Sequence, residues 1–101
     1  DGSSYMGQYR NGMKHGWGIY TSSVGIIYEG NWKFNKFSGQ GKYTLANGGY
    51  YEGNFLHDLF NGNGKYISSN GDSYEGTWKD GKLNGKGIYI SKIGEKYDGD
   101  W

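Results

Sequence analysis

The sequence predicts an all-β chain, an antiparallel meander of consecutive β-hairpins with one hairpin per 23 residues. The 101 residues hold 21 Gly and no Pro, and their apolar content is carried by 11 Tyr, 4 Trp and 4 Phe. Identical columns recur at a fixed interval, with Tyr5, Tyr28, Tyr51, Tyr74 and Tyr97 each heading the same short block. Inside each block apolar or glycine positions alternate with polar ones, which is the period of a strand.

Composition justifies the class. A high glycine load usually marks disorder, but disordered chains are poor in aromatics and this one is rich in them. Leu, Ile and Val are too few for an aliphatic core, so rings and tight turns must build the fold. The length is one domain at most, and Asp1 in the place of a start Met leads us to expect a fragment of a longer protein. No run approaches the ~20 apolar residues of a membrane span and no signal pattern opens the chain. Together with the absence of Cys, this leads us to expect a cytoplasmic setting. With 11 basic and 10 acidic residues, the net charge of +1 is too balanced for general binding to nucleic acid.

The first block of each repeat reads YMGQY at 5, YEGNW at 28, YEGNF at 51, YEGTW at 74 and YDGDW at 97. Tyr28, Gly30 and Trp32 share one face, and Glu29, Asn31 and Lys33 share the other. The second block reads GWGIY at 16, GQGKY at 39, GNGKY at 62 and GKGIY at 85. Its alternation sets Gly39, Gly41 and Tyr43 against Gln40, Lys42 and Thr44. Six residues such as KFNKFS separate the blocks, and a turn signal such as LANGG or SSNGD follows the second. Each repeat is therefore expected to be a hairpin, giving nine or ten strands. A bare Cα inside a strand leaves room for a neighbouring ring, so rings over glycines should serve as packing. Phe37, Phe60 and Leu83 share a column in the connection and are expected as satellite contacts under the sheet edge. Lys14 holds that column in the first repeat, which is expected to fray or act as an end.

Tyr74 to Gly87, YEGTWKDGKLNGKG, is very similar to the core of the MORN (membrane occupation and recognition nexus) repeat, and YEGNWKFNKFSGQG matches nearly as well. The resemblance covers repeats at 5–27, 28–50, 51–73 and 74–96 and a partial one at 97–101. It implies a rod-like, single-layer, twisted antiparallel sheet. It also implies a scaffold at cytoskeleton-membrane junctions, or an array accompanying a lipid kinase or a methyltransferase domain, with anionic phospholipid binding and dimerisation as attributed properties. Phe55 departs from the usual Trp, and Asn35 and Asp58 stand where Gly12 and Gly81 supply a connection glycine. Asn and Asp tolerate left-handed turns, so the geometry should survive.

No catalytic or metal site is expected, and no cofactor. Glu29, Glu52, Glu75 and Asp98 form a carboxylate column, but neighbours lie about 9 to 10 Å apart on an open face that also carries Lys42 and Lys65. They read as solvated cross-strand pairs. His15 and His57 lack metal-ligand spacing and read as surface loop residues. The G-x-G blocks lack the strand, helix and G-K-[ST] context of a phosphate loop.

Function is expected on the surface. Tyr28, Trp32, Tyr43, Tyr51, Phe55, Tyr66, Tyr74, Trp78 and Tyr89 form an aromatic stripe that would bind a protein partner if it stands open. A repeat advances about 9.6 Å along the array and seven residues of helix about 10.5 Å, so a partner helix could offer one anchor per repeat. The alternative is anionic lipid bound by Arg10, Lys14, Lys33, Lys36, Lys79 and Lys82 along the connection edge. A third expectation is a homodimer through the open edge beside Trp101.

Overall fold

The computed structural model describes residues 2–100, so Trp101 and the edge beside it lie outside the described residues. Among these, nine strands form one antiparallel sheet in chain order. They are β1 (Ser4–Arg10), β2 (Met13–Thr21), β3 (Ile27–Lys33), β4 (Lys36–Thr44), β5 (Tyr50–Leu56), β6 (Leu59–Ile67), β7 (Ser73–Lys79), β8 (Lys82–Ile90) and β9 (Lys96–Asp100). The body measures 46 × 25 × 16 Å, a rod one sheet thick.

Two turn types alternate. Within repeats the strands are joined by Asn11–Gly12, Phe34–Asn35, His57–Asp58 and Asp80–Gly81, whose φ angles all lie between 49° and 85°. Two successive left-handed residues make a turn whose twist matches the flanking strands. The expected six-residue connections therefore shrink to two residues, and their flanks lengthen the strands. Between repeats, five-residue loops such as Leu45–Gly49 close with the Leu45 N–H donating to the Gly49 carbonyl at 2.7 Å.

Every pairing within a repeat carries a register shift, and no pairing between repeats does. In the second repeat Gly30 pairs with Gly41 and Trp32 with Phe37, so Ser38, Gly39 and Gln40 stand opposite Asn31 alone. Gly39 takes φ 71° there. A bulge of this kind bends the strand pair, and repeating it in each hairpin curves the sheet toward one face.

That face carries the rings. Along β3 the alternation is complete, with Tyr28, Gly30 and Trp32 buried and Ile27, Glu29, Asn31 and Lys33 exposed. The Tyr28 ring lies over Gly41, where an added Cβ would strike its hydroxyl, and that hydroxyl donates to the Asn31 carbonyl at 2.8 Å. Tyr51 repeats the arrangement over Gly64, donating to Asn54 at 2.9 Å, and Tyr5 over Gly18, donating to Gln8 at 2.8 Å. Phe37 stacks on Tyr28 at 3.9 Å and Phe60 on Tyr51 at 3.9 Å. The column expected as satellites is thus part of the core stack, and Leu83 packs against it as well. The cause is the short turn, which leaves these positions inside β4, β6 and β8 facing the rings. Each fully buried ring contributes about 2–3 kcal/mol and each edge-to-face pair about 1 kcal/mol more. Those gains exceed the 0.5–1 kcal/mol or so that a strand glycine costs.

In the first repeat the Lys14 Nζ sits 5.3 Å from the Tyr5 centroid and 5.8 Å from that of Trp32. A cation over ring faces replaces the missing aromatic. β1 and β2 pair from Ser4 and Thr21 to Arg10 and Met13, so the first hairpin is closed rather than frayed.

Candidate functional site

Curvature decides which rings remain open. Tyr28, Trp32, Tyr51, Phe55 and Trp78 are at most 7% exposed, which corrects the expectation of an open nine-residue stripe. Each repeat's rings meet the next, with Tyr28 5.1 Å from Phe55 and Tyr51 5.3 Å from Trp78, both edge-on. The two tryptophans are further fixed by Nε1, which donates to the Gly18 carbonyl at 3.1 Å from Trp32 and to the Gly64 carbonyl at 3.0 Å from Trp78. Tyr43, Tyr66, Tyr74 and Tyr89 are half-buried and form the accessible part of the ring face. Tyr74 and Tyr89 lie 4.8 Å apart and Tyr66 lies 6.2 Å from Tyr74.

Burial raises the hydroxyl pKa of Tyr28, and it pushes that of Tyr51 up to about 12. Burial raises Tyr43 as well, and Tyr89 is raised by desolvation and by Asp72 beside it. These hydroxyls are therefore donors at neutral pH.

The opposite face is polar. One row across the strands reads Ile19, Glu29, Lys42, Glu52, Lys65, Glu75 and Ile88, each directly opposite the next. The carboxylate column is thus interleaved with lysines, an arrangement that favours neither charge. A second row of amides spans the bulges, with Asn31 Nδ2 donating to the Gln40 carbonyl at 3.3 Å and Gln40 Nε2 to Asn54 Oδ1.

The third surface is the edge formed by the two-residue turns. Arg10, Lys33, Lys36, Lys79 and Lys82 are exposed there, whereas Lys14 lies on the ring face and is separated from them. Lys33 stands directly opposite Lys36, and Lys79 opposite Lys82. Between these pairs Leu56 faces Leu59, at 47% and 45% exposure. The third repeat therefore interrupts the cationic row with an apolar pair.

Neighbouring turns are stitched together in a way the sequence did not reveal. The Lys14 N–H donates to Asn35 Oδ1 at 2.8 Å, and the Asn35 N–H returns to the Lys14 carbonyl at 3.2 Å. The Phe37 N–H donates to Asp58 Oδ1 at 2.7 Å, and the Asp58 N–H to the Phe37 carbonyl at 3.3 Å. Gly81 keeps only the backbone half, to the Phe60 carbonyl at 3.0 Å. The departures from glycine at these two positions were the available signal.

Phe34 stands between two cavities on this edge. One, of about 350 Å³, is lined by Arg10, Asn11, Met13, His15, Lys33 and Phe34. The other, of about 410 Å³, is lined by Lys33, Phe34, Lys36, Phe37, Ser38, Leu56 and His57. His57 lies in a turn as expected, but His15 lies within β2, against the Phe34 ring at 6.2 Å. Among the described residues no three His, Cys, Asp or Glu come together as a metal site would require, and no helix is long and apolar enough to cross a membrane.

The family model of the MORN repeat matches residues 5–26, 28–50, 51–73 and 74–96. No curated protein matches the chain.

Proposed function

The chain belongs to the MORN repeat family, a non-catalytic repeat module that generally interacts with proteins or membranes, and on that premise we propose that it is a scaffold engaging a protein partner through its ring face. The observation that supports this is the row of half-buried Tyr43, Tyr66, Tyr74 and Tyr89 over a floor of packed rings. Side chains held this way lose little freedom on binding, which makes them good anchors. Tyr28, Trp32, Tyr51, Phe55 and Trp78 take part as that floor, shaping the surface from below. A helix with one apolar residue per heptad is the partner whose spacing best follows the repeat.

Replacing Trp32 and Trp78 would remove core side chains, so the test belongs to the accessible tyrosines. A photo-crosslinking residue at Tyr66 should yield a discrete adduct with partner, and the same residue at Glu52 on the polar face should yield none. Equal crosslinking from both faces would overturn the reading.

A second reading is supported by Lys33 opposite Lys36 and Lys79 opposite Lys82, because like charges directly opposite one another cost stability unless an anion neutralises them. With exposed Phe34, Leu56 and Leu59 between them, this edge suits an anionic membrane surface, where each basic residue is worth about 1 kcal/mol. Vesicle sedimentation that is indifferent to salt or to anionic lipid rules it out. Both readings suit a protein working in the cytoplasm, at the cytoskeleton or a membrane surface.

A further inference from the structure

We propose that the cavity between the first two hairpins binds an aryl phosphate, presented as a phosphotyrosine on a partner protein. This site is distinct from the ring face and does not depend on it. Arg10 on β1, His15 on β2 and Lys33 on β3 surround one cavity of about 350 Å³, and no carboxylate lines it. Three nitrogen bases brought from three strands around one space is an arrangement for a compact dianion.

The chain gives up stability at this place in three separate ways. Phe34 holds φ 52° in the first turn position, where the first and fourth repeats have Asn11 and Asp80, residues that tolerate that conformation. Its ring is 59% exposed. Lys33 faces Lys36 directly. The fourth repeat shares the opposed lysines, at Lys79 and Lys82, but it has Asp80 where Phe34 puts an exposed aromatic ring in the left-handed position, and that combination at one turn points to a site.

The geometry also selects the ligand. Phe34 meets His15 edge-on at 65° and lies 5.8 Å from the Lys33 Nζ, so an aromatic wall rises beside the bases. A phosphate on Arg10, Lys33 and His15 places the phenyl ring of phosphotyrosine against Phe34 and Met13. The short alkyl arm of phosphoserine would leave those walls uncovered. A membrane would draw on bases spread along the whole edge, Lys79 and Lys82 included, whereas Arg10, His15 and Lys33 line one cavity.

The test is fluorescence polarisation of the whole chain with a labelled alanine peptide carrying one phosphotyrosine, beside its phosphoserine and unphosphorylated counterparts. The phosphotyrosine peptide should bind at least about tenfold tighter than the others. Arg10→Ala and Lys33→Ala should each weaken it by about tenfold, whereas Lys82→Ala, which removes equal charge from the far end of the edge, should not. Phe34→Asn should raise the melting temperature and weaken binding together, a pairing that a purely structural role does not give. Equal affinity for the three peptides, an equal loss with Lys82→Ala, or full binding by Phe34→Asn overturns the proposal. So does a result in which Arg10 and Lys33 matter only for sedimentation with vesicles of phosphatidylcholine and phosphatidylserine.

Discussion

Replacing Gly41 by Ala adds a single methyl group, and the structure assigns it a large penalty. The backbone there has an ordinary φ, so no conformational strain is involved. The new Cβ would instead lie 2.6 Å from Tyr28 Cζ and 2.7 Å from Cε1. Tyr28 is 0% exposed and has nowhere to go, with Phe37 stacked at 3.9 Å and Trp32 and Phe55 edge-on at 5.1 Å each. Overpacking of a fixed site costs about 1–3 kcal/mol. Displacing the ring also endangers its 2.8 Å hydrogen bond to Asn31, worth about 1 kcal/mol. A total of about 3 kcal/mol lowers the melting temperature of a domain this size by on the order of 10–20 °C. Gly48 is the control, because it has φ 95° and nothing within 4 Å of an added Cβ. There Ala pays only for the left-handed backbone, about 1 kcal/mol. Thermal unfolding followed by near-ultraviolet circular dichroism ranks the two, and a Gly41→Ala protein as stable as Gly48→Ala would refute the ring-on-glycine account. A double-mutant cycle with Tyr28→Phe sharpens it, since removing the hydroxyl should make Gly41→Ala cheaper than in the parent.

Phe55→Trp should stabilise by about 1 kcal/mol in denaturant melts, because an indole there can donate to the Gly41 carbonyl as Trp32 does to Gly18 and Trp78 to Gly64. Gly81→Asn should also stabilise by about 1 kcal/mol in the same assay. Its side chain would accept from the Phe60 N–H as Asn35 does from Lys14, and only Leu59 Cδ2, at 3.9 Å, lies near the added Cβ. Alkaline pH should unfold the chain. Tyr51 is held protonated by burial, so the folded state binds more protons than the unfolded one above pH 10.0, and stability present below that value is lost as pH rises toward about 12. Tyrosinate absorbance should then rise together with loss of the near-ultraviolet signal rather than ahead of it.

The repeat length, the presence of the strands and the shared face of Tyr28, Gly30 and Trp32 were legible because period-two alternation and fixed columns survive in the letters themselves. The division of labour inside G-x-G was not. Gly39 is needed for its positive φ at the bulge and Gly41 for the space that Tyr28 occupies, yet both are simply glycine in the sequence. Without the bulge there is no way to foresee the curvature, and without the curvature Trp32 and Phe55 look exposed. The same step hid the role of Phe37, which a six-residue connection would have left outside the sheet. Asn35 and Asp58 could be read as residues that tolerate a left-handed turn. Their hydrogen bonds to Lys14 and Phe37 belong to the spacing between hairpins, which no single repeat encodes. The cavity beside Phe34 was illegible for a related reason, because Arg10, His15 and Lys33 come from three strands and share no column.

These differences in legibility reflect how the fold separates its tasks. A single-layer sheet must bury one face without a second layer, and it does so by curving, so each ring column is constrained by the repeat before it and the repeat after it. Tyr5, Tyr28, Tyr51, Tyr74 and Tyr97 accordingly share one identity. The first turn position meets no such constraint and holds Asn11, Phe34, His57 and Asp80 in succession. A change there alters the edge that a partner meets while leaving the stack intact, so individual recognition can be written at the turns of an otherwise uniform rod. Phe34 is the position in this chain where the turn departs furthest from what closure alone requires, and it is there that a specific ligand is expected.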